Sequence, residues 1–238
     1  MYGTPINIAV FTGSRADYGL LVPIIKAIHA SENAELQLLV GGSHMLKEYG
    51  HTIDEIKADG LPITATFNSR YTGTNSAKDM AETAMLLTSW LDVAKQKPDI
   101  LVVLGDRHEA FAVASAALMS RLPIAHIHGG DVVQGGMLDE PIRHAITKMS
   151  HLHFPATKAS GDNILAMGEE MWRVNVCGAP AMDNMKSLPL KSRLELANEL
   201  GVDPQKKWIL FTQHPITLWP EKAGKEAEDS RLTYNIFI

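Results

Sequence analysis

The chain has 238 residues, 45% of them hydrophobic, and a formal net charge of −5, enough for one large domain or for one domain and part of another. Without a clustered basic excess it is not expected to bind nucleic acid, and no apolar stretch approaches the roughly 20 residues of a membrane span. Its single cysteine, Cys177, excludes an intrachain disulfide framework. Together with an N-terminus that lacks the pattern of a signal peptide, this predicts a cytoplasmic protein.

In chain order, short apolar runs alternate with segments of helical periodicity. Strands are predicted at Ile6–Thr12, Leu36–Val40, Thr64–Phe67, Ile100–Leu104, Ile124–Ile127, Leu152–Phe154 and Val174–Cys177. Helices are predicted at Asp17–Ala30, Met45–Ala58, Ala77–Lys95 behind a Ser76 cap, Glu109–Met119, Pro141–Ser150 and Ala156–Met167. This alternation predicts an α/β protein with a Rossmann-like, mostly parallel sheet that is covered by helices on both faces.

The pattern changes after Cys177. Residues 178–192 have the composition of a linker, and a helix at Leu194–Leu200 and a buried strand at Trp208–Thr212 are predicted to follow. A lone helix and strand cannot bury their own apolar faces. We therefore expect an N-terminal catalytic domain over residues 1–180, and a linker with the incomplete start of a nucleotide-binding domain over residues 181–238.

Polar clusters follow four of the predicted strands at their carboxyl ends. Parallel sheets bind their ligands at that edge, so we expect one site that is assembled from all four clusters. The clusters are GSRAD (13–17), GGSH (41–44), GDRHE (105–109) and HIHGGD (126–131).

The GSRAD cluster lies at a predicted turn from strand to helix. Gly13 lets a ligand approach the backbone closely, the helix N-terminus favours an anion, and the planar guanidinium of Arg15 suits phosphate oxygens. The alternative is an ordinary turn with Asp17 in the first turn of the helix. The cluster matches neither GxGxxG nor GxxxxGK(S/T), so neither a dinucleotide site nor a Walker-type site is predicted.

The GDRHE cluster follows the apolar run ILVVL. Asp106 comes directly after a buried strand, where a rigid element would hold a catalytic carboxylate at the mouth of the site. The alternative is that Asp106 caps the next helix. Catalysis is favoured because Arg107, His108 and Glu109 are crowded beside it.

The segment 126–154 contains five histidines. The pairs His126/His128 and His151/His153 have strand spacing and raise the possibility of a metal, but the ligand spacings typical of zinc sites are absent. A hydrogen-bonded core histidine is the alternative for His126. The glycines favour a flexible loop around a ligand, and Asp139 and Glu140 are expected at the start of the next helix.

The segment FTQHP (211–215) places His214 at the end of the predicted second-domain strand, where it is either a turn residue or directed toward a cleft. Together, the carboxylates, histidines, arginines and glycine-rich turns indicate proton transfer on an anionic or sugar-phosphate substrate.

Several segments together resemble the hydrolysing UDP-N-acetylglucosamine 2-epimerases of sialic-acid and related nonulosonic-acid pathways. They are GSRADYGLL, GDRHEAFAVASAAL, HIHGGD and DEPIRHAITKMSHLHF followed by GAPAMDN, and FTQHP resembles the entry to the family's second domain. The resemblance extends from about Ile6 to about Gly224, over the family's first domain and the opening of its second, and IRHAITKMSH is its most specific part.

The resemblance implies two Rossmann-like domains that face each other across a cleft, as in the GT-B glycosyltransferases. It implies anti elimination of UDP after loss of the proton at sugar C2, and then addition of water to give UDP and a free, inverted sugar. The substrate would be UDP-N-acetylglucosamine or a related UDP-sugar. No metal or redox cofactor is implied, and a homodimer or higher homo-oligomer is expected.

Carried over residue by residue, the resemblance implies that Asp106 is an acid–base group. The acid that precedes IRHAI is Asp139, with Glu140 beside it, and Arg143 would orient these carboxylates or contact the substrate. Substrate-binding candidates come from the nucleotide-phosphate positions of the family and from the strand-end clusters: Arg15, Asp17, His44, Arg107 and His214.

The base at sugar C2 has two candidates. Where many members of the family carry a catalytic glutamate, this chain has His128, and the loop from Asp131 to Asp139 is longer. His128 could serve, because imidazole is a competent base near neutral pH. Alternatively, Asp131 could take this role or tune His128.

Two other functions are compatible with the same residues. A non-hydrolysing relative would return the epimeric UDP-sugar, although HxHGGD and IRHAITKMSH resemble the hydrolysing branch. A sugar-nucleotide-binding or assembly module would bind without turnover.

Overall fold

A computed structural model describes residues 4–133, 138–187 and 189–210, together with residues 212, 222, 224–225 and 227–229. The described residues fall into two compact units: residues 4–133 and 139–186 make up the first, and Leu138 with the residues from 187 onward belongs to the second. Assignment of the second unit to the start of a nucleotide-binding domain stays a prediction. None of the described helices is long and apolar enough to cross a membrane.

Strands and helices alternate along the first unit. The strands are β1 (Ile6–Thr12), β2 (Ala34–Gly41), β3 (Ile63–Phe67), β4 (Ile100–Leu104), β5 (Ile124–Ile127) and β6 (Leu152–Phe154). The helices are α1 (Arg15–His29), α2 (Ile53–Ala58), α3 (Ser76–Val93), α4 (His108–Met119), α5 (Asp139–Met149), α6 (Lys158–Ala166) and α7 (Ala181–Ser187), whose last residue belongs to the second unit. Helix α8 (Arg193–Leu200) belongs to the second unit.

The six strands pair in parallel in the order β3-β2-β1-β4-β5-β6. The order reverses between β1 and β4, and open α/β sheets bind ligands at such a point. The register places Leu104 beside Ile127, so the residues that follow β4 and β5 leave the sheet side by side. The prediction of a Rossmann-like parallel sheet is confirmed.

Two hydrophobic clusters cover the two faces of the sheet. Successive residues of a strand point to opposite faces. Ala9 and Phe11 pack with residues of α3, α4 and α5, whereas Val10 packs with residues of α1 and α2. Because both faces are buried, the strands are continuous apolar runs in the sequence.

One predicted helix is broken. In place of a helix over residues 45–58, the chain forms short 3-10 turns at Gly42–Met45 and Lys47–Tyr49, followed by α2. Gly50 has a φ of 84° and His51 a φ of 48°. A right-handed helix cannot continue through this left-handed conformation.

Two predicted strands are not found in the described residues. Val174–Cys177 makes a single bridge, between Val174 and His153, and β6 ends before Pro155, which has no N–H to extend a ladder. Residues 208–210 and 212 form no strand, since the described residues of the second unit offer no strand to pair with. The predicted linker is partly helical, because Ala181–Ser187 form α7.

Helix α3 begins one residue before its predicted start. Its N-cap is Asn75, whose side-chain oxygen accepts a hydrogen bond from the backbone N–H of Lys78 at 2.9 Å. The predicted cap, Ser76, is instead the first residue of the helix. Asparagine is as effective a cap as serine, so composition alone does not decide between the two positions.

Replacing Asn75 with alanine should lower the free energy of unfolding by about 1 kcal/mol, because α3 loses the acceptor at its N-terminus. Ser76→Ala is the matched control and should change this free energy by less than about 0.5 kcal/mol, because Ser76 lies inside the helix, where alanine is the better helix former. Chemical denaturation measures both values. A larger loss for Ser76→Ala than for Asn75→Ala would contradict the assigned cap.

Candidate active site

The candidate site lies where β4 and β5 end at the same edge of the sheet. Asp106 follows β4 after Gly105, which has a φ of 75°, a conformation that glycine adopts without steric cost. The N–H of Gly105 donates to the carbonyl oxygen of Ile127 at 2.9 Å. This hydrogen bond fixes the point at which Asp106 leaves the sheet.

Arg143 on α5 connects two candidate residues. Its Nη2 donates to the carboxylate of Asp106, and its Nη1 donates to the backbone carbonyl of Asp131 at 2.9 Å. Only 10% of the Arg143 side chain is exposed, and a buried charge needs such partners. The alternative role of Asp106 as a helix cap is not seen, because Arg107 occupies the N-cap of α4.

His126 supports this arrangement from within β5. The residue is fully buried, with Nε2 2.7 Å from the carbonyl oxygen of Gly105 and Nδ1 3.1 Å from the hydroxyl of Thr147. A carbonyl can only accept, so Nε2 carries the hydrogen and Nδ1 accepts from Thr147. Burial lowers the pKa of His126 to about 4. His126 is therefore a neutral, hydrogen-bonded core histidine.

Gly129 and Gly130 are required by close packing. A Cβ atom on Gly129 would lie 2.8 Å from the hydroxyl oxygen of Thr147 and 2.9 Å from Nδ1 of His126. One on Gly130, which has a φ of 80°, would lie 2.1 Å from the carbonyl oxygen of Ser160. The expectation of a flexible glycine loop is wrong for these two residues, which pack against neighbouring elements.

His128 and Asp131 lie close together in the loop after β5. Nδ1 of His128 is 3.8 Å from Oδ2 of Asp131, and 21% and 36% of these side chains are exposed. His128 has a φ of 62°, which is uncommon for a residue other than glycine. Its N–H donates to the carbonyl of Phe154 at 3.1 Å. The structure brings the two candidate C2 bases together, and both stay candidates.

Asp139 and Glu140 form the first turn of α5, where the helix dipole favours carboxylates. Oε2 of Glu140 accepts a hydrogen bond from the N–H of Val133 at 2.7 Å. Oε1 of the same residue lies 3.6 Å from Nε2 of His144. Glu140 therefore binds the backbone just after Asp131, while the catalytic roles of Asp139 and Glu140 stay predictions.

The GSRAD cluster forms the turn between β1 and α1. Ser14 caps α1, and Asp17 accepts a hydrogen bond from the N–H of Gly13 at 3.1 Å. Burial is the main reason that the pKa of Asp17 is raised to about 6. Arg15 is exposed and pairs with Glu55 at 3.2 Å. Exposed pairs of this kind contribute little stability, and the predicted contact of Arg15 with a phosphate group stays a prediction.

His44 and Arg107 are bound mainly by protein groups. His44 is fully buried, with ring nitrogens 3.0 Å and 2.7 Å from the hydroxyls of Thr12 and Thr52. Burial lowers the pKa of His44 to about 4, so the ring is neutral at pH 7. Arg107 donates two hydrogen bonds to Glu109. Their predicted contacts with substrate stay predictions.

Potential metal ligands come together outside the histidine-rich segment. In the described part of the chain, three side chains that could hold a metal ion have their ligand atoms within 4.8 Å of one another: Asp79, His108 and Glu109. Glu109 already pairs with Arg107, whose positive charge opposes a cation there. The remaining candidate from the sequence, His214, lies outside the described residues.

Two residues that the sequence analysis did not single out support the site. Thr147 donates to His126, and Ser160 at the start of α6 donates to Oδ1 of Asp131 at 2.5 Å. Thr147 is four residues after Arg143 and shares its face of α5, a spacing that could have revealed it. Ser160 and Asp131 are 29 residues apart, and no spacing rule connects them.

Solved structures of UDP-N-acetylglucosamine 2-epimerases share this fold. The enzyme of Neisseria meningitidis bound to UDP-GlcNAc is 20% identical, with a TM-score of 0.69 over 84% of this chain and 52% of that chain. The putative enzyme of Listeria monocytogenes is 19% identical, with a TM-score of 0.72 over 82% of this chain and 52% of that chain. The chain therefore has the fold of about half of a two-domain, GT-B-type protein.

Sequence similarity identifies the family. The family model for UDP-N-acetylglucosamine 2-epimerase matches residues 26–231, and the chain belongs to this family. It is 36% identical over 215 residues to the UDP-N,N'-diacetylbacillosamine 2-epimerase (hydrolyzing) of Legionella pneumophila, over 88% of this chain and 55% of the relative. It is 32% identical over 223 residues to the UDP-N-acetylglucosamine 2-epimerase of N. meningitidis, over 92% of this chain and 58% of the relative. The chain thus spans little more than half the length of these relatives.

Replacing Gly130 with alanine should lower the free energy of unfolding by about 3 kcal/mol or more, because the new Cβ atom collides with the Ser160 carbonyl. Gly60→Ala is the matched control, because Gly60 has a φ of 72° and a Cβ atom added there would have no neighbour within 4 Å. This variant should lower the free energy of unfolding by about 1 kcal/mol, from the backbone conformation alone. Denaturant unfolding compares the two. Equal losses would show that packing against α6 does not confine Gly130.

Proposed function

We propose that the chain carries the catalytic residues of a hydrolysing UDP-sugar 2-epimerase. Such an enzyme converts UDP-N-acetylglucosamine or a related UDP-sugar and water into UDP and a free N-acetylmannosamine-type sugar, for sialic or other nonulosonic acid biosynthesis. The observation that carries the proposal is the grouping of Asp106, Arg143, Asp131 and His128 at the adjoining ends of β4 and β5. This grouping places acid–base side chains around the positively charged guanidinium of Arg143, at the edge of the sheet where such proteins bind ligands.

The proposed reaction begins with removal of the hydrogen at sugar C2 as a proton. The electron pair of the C2–H bond forms a C1–C2 double bond, and the C1–O bond to the diphosphate breaks on the opposite face of the ring. UDP leaves, and a 2-acetamidoglucal remains. Water then adds its hydroxyl to C1, and a proton reaches C2 from the face opposite to the one by which the first proton left, so that C2 is inverted.

Several residues together lower the activation barrier of the elimination. The C2–H bond is barely acidic, so a well-placed base and a stabilised leaving group are both needed. We assign removal of the C2 proton to His128 or Asp131, and a second acid–base role to Asp106, while Arg143 orients Asp106. The other members of the proposed site are Asp139 and Glu140 for acid–base chemistry, and Arg15, Asp17, His44, Arg107 and His214 for substrate binding.

Hydrolysis is favoured over the two alternatives by two observations. The Legionella relative is named as a hydrolysing enzyme, and the segments HIHGGD and IRHAITKMSH resemble the hydrolysing branch. A non-hydrolysing enzyme would return the epimeric UDP-sugar, and a binding module would retain the UDP-sugar without turnover. The state of a homodimer or higher homo-oligomer and the cytoplasmic location stay predictions.

A product assay separates these functions. The protein is incubated in D₂O with UDP-N-acetylglucosamine and with a di-N-acetylated 6-deoxy UDP-sugar, and the products are identified by mass spectrometry. Hydrolysis should give free UDP and a free sugar with deuterium at C2. An epimeric UDP-sugar without free UDP, or calorimetric binding without any product, would contradict the proposal in favour of the first or the second alternative.

Asp106→Asn should lower the rate of UDP release at least about 100-fold, because the variant keeps the shape of the side chain but loses the proton-transfer group. Asp99→Asn is the matched control, since Asp99 lies before the opposite end of β4 and accepts a hydrogen bond from the N–H of Asn7 at 2.8 Å. It should release UDP at the wild-type rate. Near-normal turnover of Asp106→Asn would rule out the acid–base role.

A further inference from the structure

The first turn of α6 approaches the loop after β5, and the Ser160 side chain is buried there, with Oγ 2.5 Å from Oδ1 of Asp131. From this contact we propose that Ser160 is a positioning residue of the site. Its hydroxyl holds the Asp131 carboxylate so that the other oxygen, Oδ2, faces His128. The inference rests on the proposed function, in which Asp131 and His128 act at sugar C2, and it assigns Ser160 no contact with substrate.

The direction of the hydrogen bonds follows from the chemistry of the groups. An ionised carboxylate only accepts, so the Ser160 hydroxyl donates to Asp131. Oγ of Ser160 also lies 2.6 Å from Oγ1 of Thr157, and because the Ser160 hydrogen is already used, Thr157 is the donor in that contact. The Thr157 oxygen in turn accepts from the N–H of Ser160 at 3.1 Å. These hydrogen bonds polarise one another, so the Ser160 hydroxyl becomes a stronger donor to the Asp131 carboxylate.

Asp131 depends on this contact for its orientation. Nδ1 of His128 is 3.8 Å from Oδ2, beyond hydrogen-bond distance. Among the described residues, the Asp131 side chain accepts a hydrogen bond from Ser160 alone. Without it, a side chain that is 36% exposed can rotate toward water and away from His128.

Helix α6 holds the backbone of the same loop through a separate contact. Nδ2 of Asn163 donates to the carbonyl oxygen of Gly130 at 2.9 Å. Asn163→Ala removes this backbone contact and leaves the contact with the carboxylate, whereas Ser160→Ala does the reverse. The two variants are therefore matched, and they separate orientation of Asp131 from general support of the loop.

Ser160→Ala should lower kcat about tenfold, because the ionised carboxylate loses a donor, and should leave KM within about twofold. Asn163→Ala should not give this split between the effects on kcat and KM, because it leaves the donor to the carboxylate in place. If Ser160 had a merely structural role, the two variants would lower kcat equally.

A measurement that needs no turnover keeps this inference separate from the proposed function. The carboxyl carbon of Asp131 is followed by NMR in the unliganded protein at neutral pH. Its chemical shift should change in Ser160→Ala, where the carboxylate loses its donor, and should change much less in Asn163→Ala. An unchanged Asp131 chemical shift in Ser160→Ala, with only a lower melting temperature, would overturn the positioning role even if the wild type hydrolyses UDP-sugars.

Discussion

The guanidinium of Arg143 lies between the ends of β4 and β5 and bonds to a group from each, the Asp106 carboxylate and the Asp131 carbonyl. Its side chain is only 10% exposed, and a buried charge that loses its partner is costly. The helix that carries Arg143 is anchored by Ile146, which is fully buried in the core. Packing of α5 on the sheet therefore determines where two proposed catalytic residues lie.

The histidines and glycines near Arg143 act mainly as a scaffold. His126 connects Gly105, which precedes Asp106, to Thr147 on α5, and it does so as a neutral ring. Gly129 is packed so closely against Thr147 that no Cβ atom fits. These contacts leave little freedom to the loop that carries the proposed base, as catalysis by preorganised groups requires.

The fold was predictable because a sheet buried on both faces appears in the sequence as apolar runs, and β4 and β5 lie at the predicted residues. The break at Gly50 was not predictable, since it depends on a left-handed backbone rather than on helix-forming residues. Asp106 and Arg143 were identified as candidates, but their ion pair joins residues 37 apart. A contact of this kind is set by tertiary packing, which a single sequence does not display.

A double-mutant cycle on Asp106 and Arg143 tests most directly whether their ion pair organises the site. The free energies of unfolding of Asp106→Ala, Arg143→Ala and the double variant are measured at neutral pH. Each single variant leaves one charged side chain of the pair, 10% exposed for Arg143 or 24% exposed for Asp106, without its partner, so the loss in the double variant should be smaller than the sum of the single losses by about 1 to 3 kcal/mol. Losses that add to within about 0.5 kcal/mol would contradict the account.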